Sequence, residues 1–266
     1  MNAAPLGVFD SGIGGLTVAR ALFEKLPRES VIYFGDTARV PYGPKSPDTV
    51  RRYSGEILAF LLKRGVKAVV VACNTSTAHA LADLQAHSPV PVVGVIEPGA
   101  RAAVRASRTG KIGVIGTAGT VASGAYERAI KALRGDAQVV SQPCPLFVPL
   151  VEEGWFEHPA TELIARDYLE PLRRAGVDVV VLGCTHYPLL KPLLGRVLGP
   201  GVTLIDSADE TAESVKRELA ERHLTANGQS APEHRFVVSD DEPHFRSVGA
   251  RFLGEKIKQV EVVPLG

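Results

Sequence analysis

The sequence predicts an α/β protein made of two pseudo-symmetric domains with mainly parallel sheets, which face each other across a cleft that holds the active site. The first observation behind this prediction is a pair of aliphatic runs at residues 69–72 and 179–183, each followed at once by a cysteine. Uninterrupted β-branched runs are typical of strands buried on both faces, as in parallel sheets. The cysteines, Cys73 and Cys184, are 111 residues apart (184 − 73) and follow matched strands.

Two further matches indicate an internal duplication. Residues 111–117 repeat the pattern of residues 6–11, and residues 202–205 match residues 93–96. Three landmarks in one sequential order are a stronger signal than any one of them alone. The alternative is that strands of α/β proteins often begin with glycine and valine, so that such starts resemble each other without a duplication.

The first half of the chain alternates short strands with helices. Strands are predicted at residues 5–9, 30–34, 69–72 and 90–96, and helices at about residues 16–26, 47–64 and 76–86. Proline and glycine between residues 39 and 44 argue against regular structure there. Asn74 or Thr75 is the expected N-cap of the helix after Cys73, because a side-chain oxygen at that position can accept from the free N–H groups of the first turn.

The second half repeats this alternation, which implies parallel sheets with right-handed crossovers. Strands are predicted at residues 111–117, 137–140, 179–183 and 202–205, and helices at about residues 123–133 and 159–175. A helix to about residue 222 and strand-like runs at residues 235–239 and 260–263 follow. We expect this tail to return to the first half. The predicted domains are therefore residues 1–97 plus 208–266, and residues 98–207.

Composition narrows the class of protein. The 266 residues are 45% hydrophobic and 22% charged, as in ordinary globular proteins, and the formal net charge of +1 provides no electrostatic footprint for nucleic acid or an anionic membrane. No apolar run reaches the roughly 18 residues of a membrane span. Three cysteines argue against a disulfide framework and for a reducing compartment. Because the first residues also lack the pattern of a signal peptide, we expect a cytoplasmic location.

Polar and titratable side chains follow the predicted strands at their carboxyl ends, where parallel sheets bind ligands. In the first half these residues are Asp10, Ser11, Asp36, Cys73, Asn74 and Thr75, and in the second half they are Thr117, Cys184, Thr185 and His186. If the halves face each other, one cleft holds the whole set. The duplication then places one thiol on each wall.

A thiol on each side of a substrate suits the inversion of a carbon–hydrogen centre, because one base removes a proton from one face while an acid delivers a proton to the other. A free cysteine has a pKa of about 8.5, so it can serve in both roles if the thiolate is modestly assisted. The helix start after each thiol favours the thiolate, and Asp10 and His186 are the candidate local partners. Asp36 can orient the first site through its neighbours. Carboxylates would suit the backbone N–H groups around Ser11, Gly43, Asn74, Thr75, Thr185 and His186.

Other sites are poorly supported by the sequence. The glycines after Asp10 do not complete a nucleotide-binding loop, since Thr17 stands where the last glycine is needed. Cys184 and His186 could form half of a zinc site, but no second cysteine pair completes it, and we expect no metal. A redox couple of the two thiols would leave the neighbouring amide and hydroxyl groups without a purpose. A pyridoxal site would make the matched thiols superfluous. Cys144 reads as a core residue.

Five long motifs resemble the glutamate racemases of the aspartate/glutamate racemase superfamily, over essentially the whole chain. They are GVFDSGIGGLTV at residues 7–18, GDTARVPYG at residues 35–43, ACNTSTA at residues 72–78, GTAGT at residues 116–120 and GCTHYPLL at residues 183–190. The resemblance implies an enzyme without a cofactor that interconverts L- and D-glutamate and supplies D-glutamate for peptidoglycan synthesis. It also implies a homodimer.

The resemblance assigns roles to particular residues. Cys73 and Cys184 would be the proton donor and acceptor, with Cys184 as the base and Cys73 as the acid from L- to D-glutamate. Asp36 and Glu152 would support the thiols. The substrate would be held by Asp10, Ser11, Tyr42, Gly43, Asn74, Thr75, Thr117, Thr185 and His186. Two alternatives stay open, namely a racemase of the same superfamily that acts on aspartate or a hydantoin, and an amino-acid-binding protein without turnover.

Overall fold

The computed structural model describes residues 3–227, 231–254, 257 and 259–265. Within this part of the chain, ten strands form two sheets, and every strand pair in them is parallel. The six-stranded sheet contains β1 (Leu6–Asp10), β2 (Val31–Gly35), β3 (Ala68–Val71), β4 (Val92–Gly94), β9 (His234–Val238) and β10 (Val260–Val262). The four-stranded sheet contains β5 (Lys111–Gly116), β6 (Gln138–Pro143), β7 (Val179–Gly183) and β8 (Thr203–Ile205).

The strand orders confirm the predicted fold class. The six-stranded sheet has the order β10-β9-β2-β1-β3-β4, and the four-stranded sheet has the order β6-β5-β7-β8. The segment β2-β1-β3-β4 therefore has the same arrangement as the complete second sheet. The strands before the two cysteines, β3 and β7, lie in equivalent positions beside the central strands β1 and β5. The tail contributes β9 and β10 to the first sheet through the pairing of β9 with β2.

Helices connect the strands. They are α1 (Leu16–Lys25), α2 (Pro47–Lys63), α3 (Asn74–His87), α4 (Ile96–Ala106), α5 (Ala118–Ala122), α6 (Ala125–Leu133), α7 (Phe147–Glu152), α8 (Pro159–Ala175), α9 (Lys191–Leu198), α10 (Ala208–Glu221) and α11 (Glu242–Leu253). The bounds of α8 agree with the prediction because proline opens this helix and Gly176, in the left-handed region at φ 65°, ends it. The described residues include no helix long and apolar enough to cross a membrane.

Several predicted elements were wrong in extent. The strand expected at residues 90–96 is shortened to β4, and α4 begins at Ile96. Pro98 is compatible with this helix because it lies in the first turn, where no N–H group has an intrahelical partner. The helix expected at residues 123–133 is α6, which begins two residues later because Gly124, whose φ is +65°, precedes its first turn. No helix was predicted from the sequence where α4, α5, α7, α9 and α11 lie.

A hydrophobic core cluster spans both halves of the molecule. It joins residues of the first half, such as Leu16 and Phe245, to residues of the second, such as Leu182 and Tyr187, all of them buried. Burial of apolar surface is the main favourable contribution to folding. Packing of the halves through one continuous core holds the carboxyl ends of β3 and β7 in a fixed relation to each other.

Candidate active site

Cys73 and Cys184 line the same cavity. The space between the lining side chains that is free of protein atoms is about 340 Å³, open solvent at the mouth included. The two cysteine residues are only 5% and 6% exposed. The lining residues are Ser11, Val40, Pro41, Tyr42, Gly43, Cys73, Asn74, Thr75, Thr117, Val148, Cys184, Thr185 and His186.

Ten of the thirteen residues that the sequence analysis selected line this cavity, and the three acids Asp10, Asp36 and Glu152 do not. Each acid instead contacts a lining residue from behind. Asp10 accepts a hydrogen bond from Thr185, Asp36 from Tyr42, and Glu152 lies 3.0 Å from His186. The sequence analysis missed three apolar lining residues, Val40, Pro41 and Val148. Val40 and Pro41 lie in the motif at residues 35–43, which could have indicated these two, whereas Val148 lies in none of the five motifs.

The first wall is built around the start of α3. Cys73 itself is the N-cap, and its sulfur accepts a hydrogen bond from the backbone N–H of Ser76 at 3.5 Å. The prediction that Asn74 or Thr75 caps the helix was therefore wrong, since the N-cap lies before both of them. The helix begins directly at the end of the strand, so the thiol occupies the position where a side-chain acceptor meets the free N–H groups.

The environment of Cys73 favours the protonated thiol. Burial, and then the negative charge of Asp10, raise the pKa of Cys73 to about 11, although hydrogen bonds from Ser76 and Ser11 act in the opposite direction. The sequence predicted that the helix start favours the thiolate. Burial and Asp10 outweigh that effect, so Cys73 carries its proton at neutral pH.

Asp10 is completely buried beneath the cavity. Its carboxylate accepts from the backbone N–H of Gly12 at 3.1 Å and from the Thr185 hydroxyl at 3.4 Å. Burial raises the pKa of Asp10, while the charge of His186 and backbone N–H groups, including that of Gly15, oppose the shift. A side chain at Gly15 would place its Cβ only 2.5 Å from the Asp10 Cβ, so this position requires glycine.

The second wall carries a histidine between a thiol and a carboxylate. His186 is buried, with Nδ1 3.9 Å from the Cys184 sulfur and Nε2 3.0 Å from the Glu152 carboxylate. Burial alone would lower the pKa of His186, but hydrogen bonds and charge interactions with Cys184 and Glu152 outweigh it and raise the pKa to about 10. His186 is consequently an imidazolium ion at neutral pH, with a donor directed at each neighbour.

Asp36 acts on the cavity through Tyr42. Its buried carboxylate accepts hydrogen bonds from the Tyr42 hydroxyl and from Ser239 Oγ at 2.9 Å, and it pairs with Arg39 at 2.7 Å. Burial and the nearby carboxylate raise the pKa of Tyr42 well above its usual range, so the phenol stays protonated. Asp36 thereby fixes the loop that lines one side of the cavity, and it does not line the cavity itself.

Hydrogen bonds join the two walls across the rim of the cavity. The hydroxyls of Thr75 and Thr117 are 2.9 Å apart, and Gly119 N–H donates to the carbonyl oxygen of Gly43 at 2.9 Å. In the part of the chain that the structure describes, no three His, Cys, Asp or Glu side chains are placed to hold a metal ion. The arrangement offers a protonated thiol on one wall and a sulfur beside an imidazolium ion on the other.

Comparison with known proteins identifies the family of this chain. Residues 11–215 match the Asp/Glu/Hydantoin racemase family. A glutamate racemase of Geobacter metallireducens is 54% identical over 260 residues, which cover 98% of this chain and 96% of the relative.

Solved structures show the same likeness. A glutamate racemase of Bacillus anthracis superposes with a TM-score of 0.95 at 41% identity, covering 99% of this chain and 98% of that chain. A glutamate racemase of Francisella tularensis in complex with D-glutamate superposes with a TM-score of 0.93 at 38% identity and the same coverage. The sequence resemblance to glutamate racemases is therefore confirmed. The chain belongs to the Asp/Glu/Hydantoin racemase family and has the two-domain α/β fold of the glutamate racemases.

Proposed function

We propose that this chain interconverts L- and D-glutamate by a two-base thiol mechanism that uses no cofactor. The observation that carries the proposal is that Cys73 and Cys184, at the ends of equivalent strands, line one cavity. Relatives named glutamate racemase at more than half identity support glutamate as the substrate. One sulfur then addresses each face of the α-carbon.

The charges around the thiols support a direction for each step. From L- to D-glutamate, the Cys184 thiolate, paired with the His186 imidazolium, removes the α-proton. The electron pair left on the α-carbon takes a proton from the Cys73 thiol on the opposite face. The cycle ends with a Cys184 thiol and a Cys73 thiolate, and proton exchange with water restores the starting state. The reverse reaction uses the same groups in exchanged roles.

The acids behind the cavity would support the two thiols. Glu152 keeps His186 protonated, and Asp36 fixes Tyr42. Asp10 places a carboxylate of raised pKa beside Cys73, so we propose that it assists proton transfer at that wall. Asp10→Asn should slow turnover and leave the Michaelis constant nearly unchanged, since it removes charge and keeps shape. A raised Michaelis constant with unchanged turnover would instead mark Asp10 as a binding residue.

The remaining lining residues would hold the substrate's carboxylates and amino group. This proposal covers the hydroxyl, amide and backbone groups of Ser11, Tyr42, Gly43, Asn74, Thr75, Thr117, Thr185 and His186. Asp10, which lies behind them, would act on substrate binding only through Thr185. Polar groups set closely around a small cavity suit a substrate with two carboxylates and an ammonium group.

We also propose the setting that the family resemblance implies. The enzyme would supply D-glutamate for peptidoglycan synthesis in the cytoplasm, as a homodimer that binds neither nucleic acid nor membrane. The domain boundaries stay at residues 1–97 plus 208–266 and residues 98–207, which is consistent with the strands of each sheet.

The direct test replaces each thiol in turn. Cys73→Ala and Cys184→Ala should each abolish racemisation, because each deletes the acid or base for one face. Cys144→Ala is the matched control, since this third cysteine is buried in the core outside the cavity. Circular dichroism of L-glutamate follows the reaction. Near-native rates in either cavity variant would refute the paired-thiol mechanism.

The family description leaves aspartate and hydantoins as alternative substrates. Such an enzyme would share the thiols and differ in the groups that meet the distal carboxylate. Turnover of purified protein on glutamate, aspartate and a hydantoin, compared as kcat/KM, decides between them. A binding protein without turnover would show no deuterium uptake at the α-carbon in heavy water.

A further inference from the structure

Asn74 has one satisfied and one unsatisfied polar atom. The residue is 3% exposed and lines the cavity beside Cys73. Its Oδ1 accepts a hydrogen bond of 2.7 Å from the hydroxyl of Tyr126. Its Nδ2 is buried and has no hydrogen-bond partner among the residues that the structure describes. A buried amide donor without an acceptor is costly, so its presence points to an acceptor that arrives with a ligand.

Tyr126 reaches Asn74 from the other half of the molecule. Tyr126 lies in α6, beside the four-stranded sheet, whereas Asn74 is the first residue of α3, beside the six-stranded sheet. A Cβ on Gly99 would lie 3.2 Å from both the Tyr126 oxygen and the Ser207 Cβ, so the phenol is closely confined. The hydrogen bond therefore depends on the two halves being packed together.

The direction of this hydrogen bond follows from the neighbours of the phenol. Burial raises the pKa of Tyr126, which keeps the phenolic proton in place, although the Ser207 side chain, as a donor toward the phenolic oxygen, acts in the opposite direction. With Ser207 as donor to the phenol, the phenolic proton is directed to Asn74. The amide is then held with its oxygen toward Tyr126 and its NH₂ group away from it.

We infer that Tyr126 is a positioning residue, which fixes the rotamer of the Asn74 amide so that Nδ2 is presented to an oxygen of the substrate. This inference rests on the proposed function, since the acceptor is taken to be a carboxylate of glutamate. Because the hydrogen bond crosses between the halves, the donor is set only when they are packed together. Tyr126 itself does not line the cavity.

The test is a double-mutant cycle of Tyr126→Phe and Asn74→Ala, followed by steady-state kinetics with L-glutamate. Loss of one hydrogen bond predicts that Tyr126→Phe raises KM roughly two- to twelvefold with kcat changed less than about twofold. In the Asn74→Ala background the same substitution should leave KM within about twofold. Tyr168→Phe, which removes a phenol bonded to the backbone of Leu146 away from the cavity, is the control and should not change KM.

A second variant covers the case in which Tyr126→Phe does not fold. Asn74→Asp keeps an acceptor for Tyr126 and replaces the buried donor, so it should weaken D-glutamate binding in calorimetry at least tenfold without loss of the folded state. Binding as tight as wild type would overturn the inference. If the wild type is active and the effects of Tyr126→Phe and Asn74→Ala on KM are additive, this inference is overturned and the proposed function is not. A wild type that neither binds nor racemises glutamate would overturn the proposed function and the inference with it.

Discussion

Glu152→Gln tests whether the carboxylate behind His186 keeps the imidazole protonated. The Glu152 oxygen lies 3.0 Å from Nε2, and the side chains are 23% and 3% exposed. Gln is nearly isosteric and still offers an oxygen acceptor, so the substitution removes the charge and keeps the contact. A charge-assisted hydrogen bond contributes roughly 1.5–3 kcal/mol and a neutral one about 1 kcal/mol. The expected loss is the difference between the two, about 0.5–2 kcal/mol.

That loss corresponds to about one pKa unit, since one unit equals about 1.4 kcal/mol. From the wild-type value of about 10, the pKa of His186 should fall by about one unit, to roughly 9. At pH 7 the imidazole stays protonated, so kcat/KM for L-glutamate should fall only a few-fold. The alkaline limb of its pH profile should move to lower pH by about one unit.

The measurement is kcat/KM for L-glutamate between about pH 6 and pH 10.5 in both proteins. Glu153→Gln, at the exposed neighbouring position, is the control and should leave the limb in place. An alkaline limb that does not move in Glu152→Gln would refute the role of Glu152. So would complete inactivation at pH 7 in a folded variant.

The same contact has a consequence for stability. Because the folded pKa of His186 is raised, its stabilising contribution is fully present below the ordinary value of 6.5 and is lost as pH rises through about 10. Glu152→Gln should therefore lower the free energy of unfolding by about 0.5–2 kcal/mol at pH 6 to 7. The difference should disappear above about pH 10, which urea unfolding at both pH values can measure. A difference that grows with pH would contradict the assignment.

Two further predictions concern packing. Gly14→Ala should reduce activity more than tenfold, because the added Cβ would lie 2.4–2.5 Å from side-chain atoms that line the cavity. The control is Gly195→Ala, whose Cβ would have nothing within 4 Å. This variant should stay active, and its free energy of unfolding, measured by chemical unfolding, should rise by about 0.5–1 kcal/mol. Equal activity in both variants would contradict the close contact. Lys67→Met should lower the free energy of unfolding by about 3–5 kcal/mol, because it removes the cation that pairs at 2.5 Å with Glu29, a side chain that is 3% exposed. Arg166→Ala, which breaks an exposed pair, should lower it by at most about 1 kcal/mol. Similar costs in the two variants would show that burial does not govern these pairs.

Much of the fold followed from local patterns. The aliphatic runs before Cys73 and Cys184 are sufficient to identify β3 and β7, and their matched spacing predicts that the two strands occupy equivalent places in two sheets. The proline at the start of α8 and the glycine after it define that helix almost completely. α4 was missed because Glu97 and Pro98 resemble the end of a strand, although proline is equally suited to the first turn of a helix.

The electrostatics of the site could not be predicted from the sequence, because they depend on contacts between distant segments. Glu152 meets His186 across 34 residues, and Thr185 meets Asp10 across 175. Asp10 was a predicted partner of the thiols, but the sequence did not indicate that burial and the charge of Asp10 outweigh the helix start and raise the pKa of Cys73. The catalytic roles of these residues and the domain boundaries remain predictions.

Deuterium labelling during the first turnovers tests the two-thiol mechanism most directly. L-Glutamate is incubated with the enzyme in heavy water, and both enantiomers are separated early and analysed by mass spectrometry. We expect D-glutamate to carry deuterium at the α-carbon and the recovered L-glutamate to carry none, because the second thiol delivers a deuteron that it took up from the heavy water. D-Glutamate that retains the substrate's own α-hydrogen, or L-glutamate that is labelled as fast as the product forms, would contradict a separate sulfur for each face.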